Sequence, residues 1–186
     1  MQRTMKKNKA FPALATTGVE DCRDLPHVYM LVGQGGVYKT PTLIQTVLGS
    51  CVSVTMYCAK YRWGGMFHAL LPRLGDFTIK KVRGDHFRYV DTSIWYLLRE
   101  FARAGISPAS LECKVFGGAS PLHHHGDSSA GKRNAQAALE ILAEEGIAVA
   151  ASSLGGNIGR KLFFRTDTGL VLQKRFQVRN GNDFYC

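Results

Sequence analysis

Residues 46–72, TVLGSCVSVTMYCAKYRWGGMFHALLP, contain two short apolar runs, each beside a glycine punctuator, joined by the polar and charged segment Cys58–Arg62. Runs of this length, rich in β-branched and aromatic residues and bounded by turn formers, predict neighbouring strands of a hairpin. Cys51 follows Gly49-Ser50, where the first strand begins, and His68 lies in the middle of the second. With the connection near Lys60, Cys51 and His68 fall roughly opposite one another. Side chains so placed have Cβ atoms about 4.5–5.5 Å apart, within reach of a thiol–imidazole contact.

That pair has a chemistry. A thiol is a poor nucleophile until ionised, and its usual pKa of about 8.5 falls beside an imidazole or an amide-rich loop. The backbone at Gly49-Ser50 can turn tightly and aim amides at a developing oxyanion. His68 would take the thiol proton and return it to a leaving amine. A third group usually orients the imidazole, and the Thr46 hydroxyl is the candidate near in sequence. The spacing alone leaves a plainer reading open, since cysteine is among the most buried residue types. A histidine on an apolar strand is more often a satisfied core group than a catalyst.

The other cysteines have no histidine in register. Cys58 lies at the hairpin connection, Cys113 in an apolar strand, and Cys22 and Cys186 in tails. Five cysteines without a CxxC pair suggest reduced thiols and a cytoplasmic location. The His123-His124-His125 run has no cysteine or carboxylate set to complete a metal site, so it reads as a solvated loop. No nucleotide-binding glycine motif is present, and no cofactor is expected.

The 186 residues suit one domain. Residues 1–25 read as a basic tail and 178–186 as a polar one. No apolar run approaches the roughly 18–20 residues that a membrane span needs. The formal charge of +10 gathers near the N-terminus, around Lys80–Arg88 and towards the end. It suits a solvated basic surface or an acidic partner, and no aromatic-interleaved basic motif points to nucleic acid.

Outside the hairpin, residues 28–39 are strand-like and 42–46 lead into the first strand of the pair. A helix is expected from Asp91, with Asp91 or Thr92 as N-cap and Ile94, Leu97, Leu98 and Phe101 on one face. Residues 111–116 form a strand. A second helix from Lys132 turns Ala135, Ala138, Leu139 and Leu142 inward, and 147–151 follow as a strand. Residues 161–165 and 170–176 make a hairpin. This order predicts an α/β layered domain with a mixed sheet.

The segments LGSCVSVTMY (48–57), GGMFHALLP (64–72), RYVDTSIWYLL (88–98), KVFGGAS (114–120) and SLGGNIGRKLFFRTDTGLV (153–171) together resemble the chemoreceptor glutamine deamidase family, CheD. The resemblance runs from about Val28 to Phe176, giving a deamidase domain over 26–177. It implies a single-domain three-layer α/β sandwich with mixed, largely antiparallel sheets. It also implies a cysteine hydrolase that converts receptor glutamines to glutamate with release of ammonia, and that also hydrolyses receptor methyl esters. Carried over by position, Cys51 is the nucleophile, His68 the general base, and Thr46 the threonine just upstream of LGSC. The implied partners are chemoreceptor cytoplasmic helices and a CheC-type phosphatase. Two rivals stand beside it: a Cys–His hydrolase of another amide or thioester, and a non-catalytic module that binds such a phosphatase or receptor.

Overall fold

The computed structural model describes residues 24–77, 86–120 and 129–177. Residues 1–23 of the expected basic tail, the whole C-terminal tail and the triple-histidine run lie outside the described residues. The order of elements is β1 (His27–Tyr29), β2 (Gly35–Tyr38), β3 (Leu43–Leu48), β4 (Val52–Cys58), β5 (Trp63–Phe67), α1 (Val90–Arg103), β6 (Glu112–Gly117), α2 (Ala130–Glu144), β7 (Val149–Leu154), β8 (Gly159–Arg165) and β9 (Val171–Phe176).

The strands form two sheets, one ordered β1-β3-β8-β9 and the other β2-β5-β4-β6-β7. β1 runs parallel to β3 and β6 parallel to β7, while the remaining pairings are antiparallel. The domain is therefore α/β, as the order of elements suggested, with two mixed sheets where that order pointed to one. The strand-like stretch 28–39 turns out to be two strands, β1 and β2, belonging to different sheets.

Alternation along β4 divides its side chains between two cores. Val52, Val54, Met56 and Cys58 pack with Ile94, Leu97 and Phe101 of α1 and with Ala138, Ile141 and Leu142 of α2. Cys51, just ahead of β4, packs instead with Met66 of β5 and with Ile44, Leu48, Leu162 and Phe164 of the four-stranded sheet. Ser53 and Thr55 share the parity of Cys51 and are also buried. Polar links tie the β8–β9 turn to the five-stranded sheet: Tyr57 Oη and Arg62 Nε both donate to the Asp167 carbonyl, and Lys114 Nζ donates to Gly169.

The hairpin expected from 46–72 is β4–β5, connected through residues 59–62. Its predicted lead-in is a different matter. Residues 43–48 do not merely approach β4; they are β3, in the other sheet. The chain crosses between sheets at Gly49-Ser50-Cys51.

Both helices form; α1 buries the expected Ile94, Leu97, Leu98 and Phe101, while its cap and the start and face of α2 differ from expectation. The N-cap of α1 is Tyr89, which makes no side-chain cap bond. Asp91 lies inside the first turn, where its carboxylate accepts from the Leu74 and Thr92 amides. α2 begins two residues early, capped by Ser129 accepting from the Lys132 amide. Its buried face includes Asn134 and Ile141, whereas Leu139 is 41% exposed. An apolar residue at helical spacing need not face the core, because the arc that meets the sheet is set by how the helix docks.

Ile141→Ala should cost about 2–5 kcal/mol of unfolding free energy. Leu139→Ala should stay within about 0.5 kcal/mol of wild type, as surface changes do. Urea melts of the two variants compare them directly.

Candidate functional site

Thr46 stands on β3 with Ile44 and Leu48, three alternate residues that are each fully buried and turn to the same side. β3 pairs antiparallel with β8, Thr46 opposite Leu162, so the ladder sets the direction of its side chain. Its hydroxyl donates to the Met30 carbonyl at 2.8 Å. The same oxygen lies 2.9 Å from Nδ1 of His68, which belongs to the other sheet.

His68 sits one residue beyond the end of β5, not in the middle of a strand as expected. Its amide donates to the Gln34 carbonyl at 2.9 Å and its carbonyl accepts from Gly33 at 2.8 Å, so the segment just ahead of β2 holds its backbone from one side. On the other side, Val52 and Ala69 exchange both backbone hydrogen bonds, in step with the Thr55–Met66 pairing. That register sets His68 opposite Ser53 and Cys51 opposite Leu70. Cys51 and His68 are thus diagonal neighbours, one pair out of step with the expected facing. Diagonal positions lie about 7–8 Å apart, still within reach of a long side chain.

The hydrogen bonds decide the tautomer of the imidazole. The Thr46 hydroxyl has one proton, committed to Met30, so its oxygen accepts from Nδ1–H. Nε2 is then the unprotonated nitrogen, and among the described residues it has no hydrogen-bond partner. Burial lowers the His68 pKa from 6.5 to about 4, opposed by the nearby Met30 carbonyl. At neutral pH the ring is uncharged, with a lone pair on Nε2 able to accept a proton. Ser53 Oγ, from the facing residue, is also buried and has no hydrogen-bond partner among the described residues.

Cys51 is 4% exposed and occupies the crossing between sheets. The carbonyls of Gly49, Ser50 and Cys51 accept, respectively, from the Ala119 amide, the Asn134 side chain and the Gly118 amide. Gly117 carries φ of 111°, and a Cβ there would run into the Cys51 carbonyl. Glycine is needed at that position for both reasons.

The remaining thiols in the described residues have different surroundings. Cys58 is buried in the core beneath the helices. Cys113 is fully buried, and desolvation, reinforced by the Glu112 charge, pushes its pKa up to about 12. A thiol held protonated in this way is inert. Among the described residues no group of three His, Cys, Asp or Glu side chains could hold a metal ion, and no helix is long and apolar enough to cross a membrane.

Of the three expected site residues, Thr46 and His68 are joined directly, and Cys51 lies on the same face of the five-stranded sheet as His68. Sequence reading missed the Met30 carbonyl and Asn134. A backbone acceptor has no side-chain signature. Asn134 shows only as one polar residue among the alanines of α2, a pattern that does not say which partner it meets.

A family model for CheD chemotactic sensory transduction matches residues 70–175. A probable chemoreceptor glutamine deamidase CheD 2 of Geobacter sulfurreducens is 47% identical over 152 residues, covering 81% of this chain and 91% of the relative. Probable chemoreceptor glutamine deamidases CheD of Maridesulfovibrio salexigens and Thermococcus kodakarensis are 38% and 36% identical, over 83% and 81% of this chain and 94% and 92% of their own.

The lowered His68 pKa links stability to pH. The unfolded chain binds the proton near pH 6.5 and the folded chain only near 4, so acidification favours unfolding across that window. The contribution, on the order of 3 kcal/mol, should be complete above the unfolded value and lost as pH falls through the folded one. Melting temperatures of wild type and His68→Gln across this range should differ in slope, with the variant losing less on acidification.

Proposed function

The chain belongs to the CheD family, and on that premise we propose that it hydrolyses the side-chain amide of selected chemoreceptor glutamines, releasing ammonia and leaving glutamate. The single observation that carries the mechanism is the relay from the Met30 carbonyl through the Thr46 hydroxyl to His68 Nδ1. It leaves Nε2 unprotonated on the sheet face that Cys51 shares.

In this reading the Cys51 thiol passes its proton to Nε2 as the sulfur attacks the carboxamide carbon. The C–S bond forms and the carbonyl oxygen becomes an oxyanion. The imidazolium gives the proton to the amide nitrogen, the C–N bond breaks, and ammonia departs from a thioester. Water then loses a proton to Nε2 and attacks the thioester carbonyl; the sulfur leaves as thiolate and is reprotonated. Thr46 touches neither substrate nor sulfur. It holds the ring in the productive tautomer and steadies the positive charge through its bond to Nδ1.

Backbone orientation supports a place for the oxyanion. In a trans peptide the N–H of one residue points away from the C=O of the residue before, and no cis bond occurs among the described residues. Since the Gly49 and Ser50 carbonyls are engaged towards Ala119 and Asn134, the Ser50 and Cys51 amides aim the opposite way. Donors set in advance are typically worth about 2.7–4 kcal/mol in the transition state. Leu70, 39% exposed, marks where this end of the hairpin meets solvent.

A glutamate methyl ester would reach the same thioester with methanol as leaving group, so the site suits methylesterase activity as well. The two cores on alternate residues of β4 support the three-layer sandwich expected of the family. We place the domain at residues 26–177, acting in the cytoplasm on receptor helices whose acidic residues the +10 chain attracts. A CheC-type phosphatase is the regulatory partner in this scheme.

The test uses a receptor cytoplasmic fragment, with ammonia release and a mass gain of about 1 Da per converted glutamine as readouts. Cys51→Ala should abolish both. Thr46→Val should lower kcat by about ten- to a hundredfold with little change in KM. Ammonia release retained by Cys51→Ala would remove this cysteine from the reaction.

A further inference from the structure

We infer that Asn134 of α2 is a positioning residue for the Cys51–His68 pair, clamping the open end of the β4–β5 ladder; this deepens the proposed function and rests on Cys51 being its nucleophile. Asn134 is fully buried. Its Nδ2 donates to the Ser50 carbonyl at 3.0 Å and to the Leu70 carbonyl at 2.8 Å. Ser50 immediately precedes Cys51, and Leu70 is two residues beyond His68. One side-chain amide therefore holds both arms that carry the pair.

The clamp acts where the ladder stops. Val52 and Ala69 make the last mutual backbone exchange. Past it, the Leu70 amide turns to the Arg88 carbonyl and the Cys51 carbonyl to the Gly118 amide. Each strand end is thus bonded to another element, and among the described residues the two share no backbone bond with each other, so the ladder does not set the diagonal spacing of sulfur and imidazole there. A primary amide has two N–H directions fixed in one plane, so the oxygens it binds are held at a set separation. Fixing the Ser50 carbonyl also fixes the direction of the Cys51 amide, through the planar peptide between them.

A packing role alone does not account for asparagine here. Its Oδ1 is buried and finds no partner among the described residues, and an unsatisfied buried acceptor costs free energy. Leucine or alanine would fill the place without that cost. What asparagine adds is the pair of donors, and both go to the segments that carry the expected nucleophile and base.

The experiment measures iodoacetamide alkylation of Cys51, Cys58 and Cys113 by peptide mass spectrometry from neutral to mildly alkaline pH, alongside kcat and KM on the receptor fragment. Asn134→Leu should slow Cys51 alkylation and lower kcat, each by about ten- to a hundredfold, as small misplacements of reacting groups do. KM, and the labelling of Cys58 and Cys113, should stay near wild type. Asn134→Ser, which keeps one hydroxyl donor, should fall between, and it supplies the same comparison if the leucine variant does not fold. Unchanged Cys51 alkylation and kcat would overturn the proposal, as would losses matched by faster labelling of Cys58 and Cys113, the mark of general loosening. Wild-type Cys51 reacting no faster than Cys58 would overturn the nucleophile itself, and that result is distinguishable because it needs no variant.

Discussion

The contact between Thr46 Oγ1 and His68 Nδ1 joins two sheets through one hydroxyl. Each end is aimed by a different ladder: β3 against β8 turns Thr46 inward, while the segment ahead of β2 and the start of β4 hold the backbone around His68. A slip of one residue in either ladder would send the side chain to the opposite face. The state of the imidazole thus depends on two independent registers both being right. The Met30 carbonyl completes the arrangement by taking the hydroxyl proton, which leaves the oxygen only the role of acceptor.

Burial sets the charge state of His68. His68 is nearly inaccessible at 2% exposure, and desolvation keeps its ring neutral, with a lone pair on the nitrogen facing away from Thr46. The same low-polarity surroundings act oppositely on Cys113, where the neutral form is the protonated thiol and hence the inert one. Two buried groups respond to the same force in the direction their charges dictate. Cys51 is distinguished from Cys113 by its place at the sheet crossing, beside a run of carbonyls engaged by the loop after β6 and by α2.

That crossing explains several glycines without separate arguments. Gly49 lies at the change of sheet. Gly117 must adopt positive φ and leave room for the Cys51 carbonyl, while Gly118 supplies the amide that carbonyl accepts from. The end of β6 approaches the Cys51 carbonyl so closely that a Cβ on Gly117 would collide with it, while the span from this carbonyl run to the β5 arm is bridged separately, by Asn134. Contacts of this kind favour preset geometry over adjustment on binding.

Local pattern in the sequence was enough for the β4–β5 and β8–β9 hairpins, for both helices and for the mixed α/β class, because alternation and helical spacing report which face of an element is apolar. Cys51, His68 and Thr46 were candidates from a motif resemblance set beside plausible chemistry; spacing alone left them ambiguous. Tertiary structure decided the rest: that β3 joins a different sheet from β4, that Cys51 and His68 are diagonal rather than facing, that Ile141 rather than Leu139 turns inward, and that Asn134 reaches both arms of the hairpin. Periodicity describes a segment relative to its own axis. Which partner that axis meets, and in what register, is settled by pairings between residues far apart in the chain, and no window of neighbouring residues contains them.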